Sequence, residues 1–115
     1  MTKKPRTPSG LATPGKKLWD SVTSEFDLAE HESVQLEEAC RVRDMIFVLR
    51  EQITRDGTML ESSQGRRLHP AIGEVRSQQL AMARLLATLN VPALEEDGLP
   101  ASRGVRGIYS GRRAS

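Results

Sequence analysis

Eight consecutive residues come first among those that could do chemistry. Gly10 to Lys17 reads G-L-A-T-P-G-K-K. This is one residue short of the phosphate-binding pattern G-x-x-x-x-G-K-[ST], in which backbone N–H groups cradle phosphate and a hydroxyl holds magnesium. Here Lys17 stands where the hydroxyl should be, no hydrophobic strand precedes Gly10, and Pro14 removes one of the N–H groups the cradle needs. The expected role is a flexible hinge before a helix N-terminus, not nucleotide binding. His31 and His69 have no second ligand at metal spacing. His31 falls in the first turn of a helix beside Glu30 and Glu32, and His69 precedes Pro70, so a surface or capping role is expected for each. Cys40 is the single cysteine, so no intramolecular disulfide or cysteine-based zinc cage can form. It lies in an apolar stripe, where packing is the default. Asp44 and Glu51 fall on a polar helix face, where solvation is expected. No nucleophile–base pair is recognisable. The sequence points to no enzyme, no metal and no cofactor.

Three helices would have to position these residues. The first is expected from about Pro14 to Phe26. Thr13 is a candidate N-cap, and Pro14 suits the first helical position because its missing N–H would be unpaired there. Leu18, Trp19, Val22 and Phe26 share one face. The second is expected from about Leu28 to Arg55, opened by a capping-box variant at Asp27 and Glu30 and stopped by Gly57. It carries a wide apolar stripe of Val34, Ala39, Val42, Met45, Ile46, Leu49 and Ile53. A narrow stripe of Leu36, Cys40 and Phe47 accompanies it. Two stripes imply packing on two sides. The third is expected from about Pro70 to Leu89, with Ile72, Val75, Met82, Leu86 and Leu89 in a coiled-coil-like seam; Val91-Pro92 ends it. Residues 58–69 fit a short β-hairpin or a plain loop.

The fold class implied is all-α: a short N-terminal helix and an antiparallel pair of long helices, joined by a loop or small hairpin. Residues 1–12 read as a disordered basic arm, 13–92 as the helical core and oligomerisation domain, and 93–115 as a flexible tail. A core of this size is small for a stable monomer. Leu36, Cys40 and Phe47, with Ile72, Val75, Met82 and Leu86, are therefore candidates for an oligomer interface.

Charge and composition bound the partners. The net charge of +2 conceals a split. Residues 1–17 carry five basic residues and no acid, residues 18–92 eight basic and twelve acidic, and residues 93–115 four basic and three acidic. Basic arms meet phosphate backbones. Lys3, Lys4, Arg6, Lys16 and Lys17, with Arg66 and Arg67 in the possible hairpin, are the candidate DNA contacts. The aromatic residues are only Trp19, Phe26, Phe47 and Tyr109. So few argue against a deep pocket for a small-molecule substrate. The longest apolar run, Met45 to Leu49, is far below the roughly 20 residues of a membrane span. No apolar stretch follows the basic start, so no signal peptide is expected, and a soluble intracellular protein is.

The order of these features resembles the small terminase subunits of tailed bacteriophages, particularly the short type of many actinobacterial phages. The matching pieces begin with Gly15-Lys16-Lys17-Leu18-Trp19-Asp20 and Leu28 with Glu30-His31-Glu32. Leu36-Glu37-Glu38-Ala39-Cys40 and Asp44 with Met45-Ile46 follow. Then come Asp56-Gly57, Gln64-Gly65, His69-Pro70 with Glu74-Val75-Arg76, and Leu85-Leu86 leading to Val91-Pro92. The likeness covers about residues 10–92. It implies a non-enzymatic packaging component that forms rings and binds double-stranded viral DNA in the host cytoplasm. It would present that DNA to a large subunit holding the ATPase and nuclease. Some members carry a separate helix-turn-helix domain, which is not expected beside a core in a chain of this length. In that reading the C-terminal patch Val105, Ile108 and Tyr109 would anchor the large subunit. The alternative is a helical adaptor or antitoxin-like module with no DNA role.

Overall fold

In a computed structural model the described residues are 5–91. They form α1 (Thr13–Glu25), α2 (Glu30–Asp56), β1 (Met59–Ser62), β2 (Gly65–Leu68) and α3 (Pro70–Thr88). The described residues are mainly helical, with one small antiparallel sheet among them. The central element is α2, 27 residues long, which packs against α3 along most of its length and against α1 over a shorter stretch.

The helix ends are set by identifiable hydrogen bonds, and two N-caps differ from expectation. Ala12, not Thr13, is the N-cap of α1, and no local side chain caps it; the acceptor comes from α2. For α2 the N-cap is Ala29, not Asp27. Alanine has no acceptor to offer, so only one half of a capping box operates: the Ala29 N–H donates to Glu32 Oε1 at 2.8 Å. Gly57, at φ 87°, ends α2 as expected, in a left-handed conformation that costs glycine little. The third helix closes with a Schellman motif. Asn90 adopts φ 62°, the Asn90 N–H donates to the Ala87 carbonyl at 2.9 Å, and the Val91 N–H donates to the Leu86 carbonyl at 2.8 Å. Val91 is thereby buried rather than merely terminal.

Residues 58–69 are a hairpin. Met59 pairs with Leu68, Leu60 with Arg67, Glu61 with Arg66, and Ser62 with Gly65. The turn is held by the Ser62 hydroxyl, which donates to the Gly65 carbonyl at 2.7 Å and accepts from the Gln64 N–H at 3.2 Å. A two-stranded ribbon is marginal alone. This one is closed at its base, where the His69 N–H donates to the Thr58 carbonyl at 2.8 Å. It is exposed along almost its whole length.

The core lies between the three helices. Leu36, Ala39, Cys40 and Ile46 of α2 are fully buried, as are Met82 and Leu86 of α3. Trp19 of α1 is buried too, with its indole Nε1–H lacking a hydrogen-bond partner among the described residues. Leu11 also enters the core, so the stretch just before α1 is packed. Its Pro, Ser and Gly content suggests disorder throughout residues 1–12, yet one leucine suffices to fix residues 10–12 on α2.

The two apolar stripes are used differently from expectation. Leu36 and Cys40 of the narrow stripe lie under α1, whereas Phe47 is half exposed. The cause is where α1 begins: its first turn sits against Cys40 and Asp44 and never reaches Phe47. From the wide stripe, Val34 and Met45 are exposed, because they lie at the edge away from α3.

Candidate nucleic-acid interface

The near-match to a phosphate-binding loop does form an anion site, but the anion is internal. The Asp44 carboxylate reaches from α2 to the start of α1. Its Oδ2 accepts from the Ala12 N–H at 2.8 Å, and its Oδ1 accepts from the Gly15 N–H at 2.7 Å. These are donors that a helix N-terminus leaves unpaired, and a negative charge there also complements the helix dipole. The first turn of α1 has no acid of its own and carries Lys16 and Lys17, so Asp44 supplies what the local sequence withholds. The segment is therefore a docked joint rather than the expected hinge, and Asp44 is a cap rather than a solvated side chain. Phosphate has no place on those two N–H groups while Asp44 holds them.

Gly15 makes this approach possible. A Cβ on Gly15 would stand 2.6 Å from Asp44 Oδ2 and 2.8 Å from the Cys40 carbonyl oxygen. Glycine is thus required for close packing, as phosphate loops require it, but here the close neighbour is α2.

The candidate basic residues do not converge. Lys3 and Lys4 lie outside the described residues. Arg6 lines a cleft of about 500 Å³ in company with Glu30 and Glu37, a setting that disfavours a phosphate. Lys16 and Lys17 are exposed on the first turn of α1. That turn is level with Asp44. The hairpin bearing Arg66 and Arg67 follows the end of α2, about 18 Å further along at 1.5 Å per residue. Strand geometry also separates the arginine pair, because successive side chains point to opposite faces. Arg66 shares its face with Glu61, to which it is ion-paired at 3.0 Å. Arg67 points the other way, opposite Leu60. They are two single contacts, not one patch.

The interface candidates are also redistributed. Leu36, Cys40, Met82 and Leu86 are fully buried within one chain, Val75 is 9% exposed and Ile72 is half-buried. Their surface already packs inside the monomer. Of the seven, only Phe47 faces solvent, and Val34, Met45 and Val48 join it as exposed apolar side chains on α2. Val105, Ile108 and Tyr109 lie outside the described residues.

Three polar groups carry structural roles. His69 is the N-cap of α3: Nδ1 accepts from the Ala71 N–H at 3.0 Å, and Nε2 lies 3.0 Å from Asp56 Oδ2. Since Nδ1 accepts, the ring proton belongs on Nε2 and is donated to Asp56. Arg41 pairs with Glu37 one turn away and donates to the Ser9 carbonyl at 3.3 Å, tying the N-terminal segment to α2. Burial, with lesser help from Asp44 and Glu37, pushes the Cys40 thiol up to about 12. It is therefore a protonated packing group at neutral pH, as its apolar stripe suggested.

Among the described residues no cluster of three or more His, Cys, Asp or Glu side chains could hold a metal ion. No helix among them is long and apolar enough to cross a membrane. No family model, curated protein or solved structure matches the chain.

Proposed function

We propose that the chain is a small DNA-packaging subunit of the terminase type, a homo-oligomer that binds double-stranded viral DNA and presents it to a large ATPase–nuclease subunit in the host cytoplasm. The observation that carries this reading is the ordered series of terminase-like segments over residues 10–92. In the fold those segments supply the joints. Gly15 meets Asp44, Leu36 and Cys40 fill the core, and Asp56 meets His69. The antiparallel pairing of α2 with α3, with α1 laid across it, belongs to the same reading. Lys16 and Lys17, exposed beside a fixed helix start, are the leading DNA contacts. Arg67 is the leading contact on the hairpin. Contacts this sparse on one chain gain strength by repetition around a ring.

Fluorescence anisotropy with a labelled duplex at two salt concentrations tests this. Binding through phosphates weakens steeply as salt rises, and Lys16→Glu with Lys17→Glu should abolish it without unfolding the chain. Light scattering should show many copies per particle. A chain that stays monomeric at tens of micromolar and ignores the duplex at low salt would sink the proposal. The second reading is a protein-binding adaptor or antitoxin-like module. It is favoured by the exposed Val34, Met45, Phe47 and Val48, and it expects no salt-sensitive DNA binding.

A further inference from the structure

One buried donor is left over from the core. The indole Nε1–H of Trp19 has no partner among the described residues, although the side chain is only 2% exposed. Buried polar groups are almost always paired, so an unpaired one calls for a ligand or a water. Trp19 also lines the cleft of about 500 Å³ beside the start of α2. One wall of that cleft is the chain's own segment Pro5 to Ser9, and another is formed by Glu30, Ser33, Val34 and Glu37. An open cleft with an unpaired donor in its lining is a candidate binding site.

Its groups define what would fit. The indole N–H can only donate and needs an acceptor such as a peptide carbonyl. The carboxylates can only accept, and a guanidinium offers them a matching planar fork. Glu37 is already paired with Arg41, whereas Glu30 has no ion pair among the described residues. Arg6 is the one cation in the lining, and Lys16 and Lys17 stand further off, level with Asp44. The surroundings remain acidic, because residues 18–40 carry seven acidic residues and no lysine or arginine. A fitting ligand therefore combines backbone carbonyls with arginine side chains, and offers some apolar surface to Pro5, Pro8 and Val34.

The chain carries such a segment itself. After the acidic Glu95, Glu96 and Asp97, residues 98–115 hold Arg103, Arg106, Arg112 and Arg113 and no acid, with Val105, Ile108 and Tyr109 between them. The described chain also ends at the right level. The third helix starts beside Asp56, where His69 lies 3.0 Å away, and packs back along α2. With both helices rising about 1.5 Å per residue, Val91 arrives level with roughly residue 35 of α2, and Val91 and Leu36 share the core. Residues 92–102 can span about 36 Å when extended, ample to pass round a helix about 10–12 Å across.

We infer that the arginine-bearing segment 103–113 binds this cleft of its own chain, with an arginine on Glu30 and a backbone carbonyl on the Trp19 indole N–H. A partner that recruits the segment must then take it from the cleft. The inference does not rest on the packaging reading and stands equally for an adaptor.

Nuclear magnetic resonance on the full chain without DNA tests it. The single tryptophan gives a single indole N–H resonance. A nitroxide attached at Ser110→Cys should cause loss of the Trp19 indole, Ser33 and Val34 signals, while Cys40 is buried and stays unlabelled. In that labelled chain, Arg103→Glu, Arg106→Glu, Arg112→Glu and Arg113→Glu together should restore the signals and shift the indole resonance. High salt should weaken the loss in the same direction. Unchanged Thr58 and Ala71 signals would show that the fold is intact. Full-strength signals before the arginines are reversed, or an indole resonance indifferent to the reversal, would overturn the inference and leave the N–H to a water. Glu30→Arg should also restore the signals, and a loss that persists in that variant would overturn the docking at Glu30. Mixing a spin-labelled chain with an isotope-labelled unmodified one identifies the source of the segment. Signal loss in the unmodified chain would assign the segment to another copy and overturn the inference as well. None of these readouts involves a duplex, so this inference and the DNA reading fail separately.

Discussion

Asp44 caps a helix that precedes it in the chain, and its partner Gly15 lies 29 residues before it. Its Oδ1 accepts from the Gly15 N–H at 2.7 Å, and the same oxygen pair holds the Ala12 N–H. The carboxylate thus does across two helices what a capping serine or aspartate does locally. It also sets where α1 crosses α2, and hence which apolar residues of α2 stay uncovered.

Replacing Asp44 with alanine should cost about 1–2 kcal/mol, the range for losing a charged cap. Asp44→Asn should be nearly as costly. Both carboxylate oxygens act as acceptors, and an amide must turn its NH2 toward one of the two donors. Thermal unfolding of the two variants measures this. An Asn variant as stable as the native chain would show that the second acceptor contributes nothing.

Gly15→Ala has a diagnostic sign. On helix propensity alone the change would stabilise by about 1 kcal/mol. The added Cβ would instead stand 2.6 Å from Asp44 Oδ2 and 2.8 Å from the backbone carbonyl of Cys40, and crowding of this kind costs about 1–3 kcal/mol. Denaturant unfolding should show a net loss. Adding Asp44→Ala should recover only part of it, because the Cys40 carbonyl remains in the way.

The positions of all three helices were readable from periodicity, Gly57 and the X-Pro steps, since those signals are local. Two kinds of feature were not readable. Caps supplied from another element leave no trace near the helix they serve: Asp44 sits on a polar-looking face and is 29 residues from its partner Gly15. Burial of a stripe was equally hidden, because it depends on where a neighbouring helix begins. Leu36 and Phe47 belong to one stripe, yet the first is wholly covered and the second half exposed. Candidate basic residues were visible as types, but the strand alternation that separates Arg66 from Arg67 appeared only once the hairpin register was known.

Cys40 makes stability depend on alkaline pH. An unfolded thiol ionises near 8.5, whereas burial holds the native one up to about 12. The folded state therefore keeps the proton longer. Its contribution is complete below the unfolded value and declines between roughly pH 8.5 and the native value of about 12. The slope of loss approaches about 1.4 kcal/mol per pH unit. Urea midpoints of the native chain should fall over that window more steeply than those of Cys40→Ala. Equal slopes would mean the thiol is not responsible. A thiol reagent at pH 8 should also react with Cys40 only after urea unfolds the chain.

His69 joins the hairpin, α2 and α3 at one point. The ring caps α3 through the Ala71 N–H and is held in place by Asp56, while its own backbone N–H closes the hairpin base on Thr58. Removing the ring in His69→Ala should cost about 1–2 kcal/mol from the lost cap and leave the buried Ala71 donor unpaired. Asparagine is a strong cap but too short to keep both contacts, so His69→Asn should recover the cap and not the link to Asp56. Asp56→Ala should cost less than His69→Ala, because the Asp56 side chain is 42% exposed and water can replace it. In the His69→Asn background, Asp56→Ala should cost little more than an ordinary surface change. A double-mutant cycle over the native chain, the two single variants and their combination separates the cap from the link. A full-sized Asp56 effect persisting in the His69→Asn chain would show that the carboxylate acts through something other than the histidine.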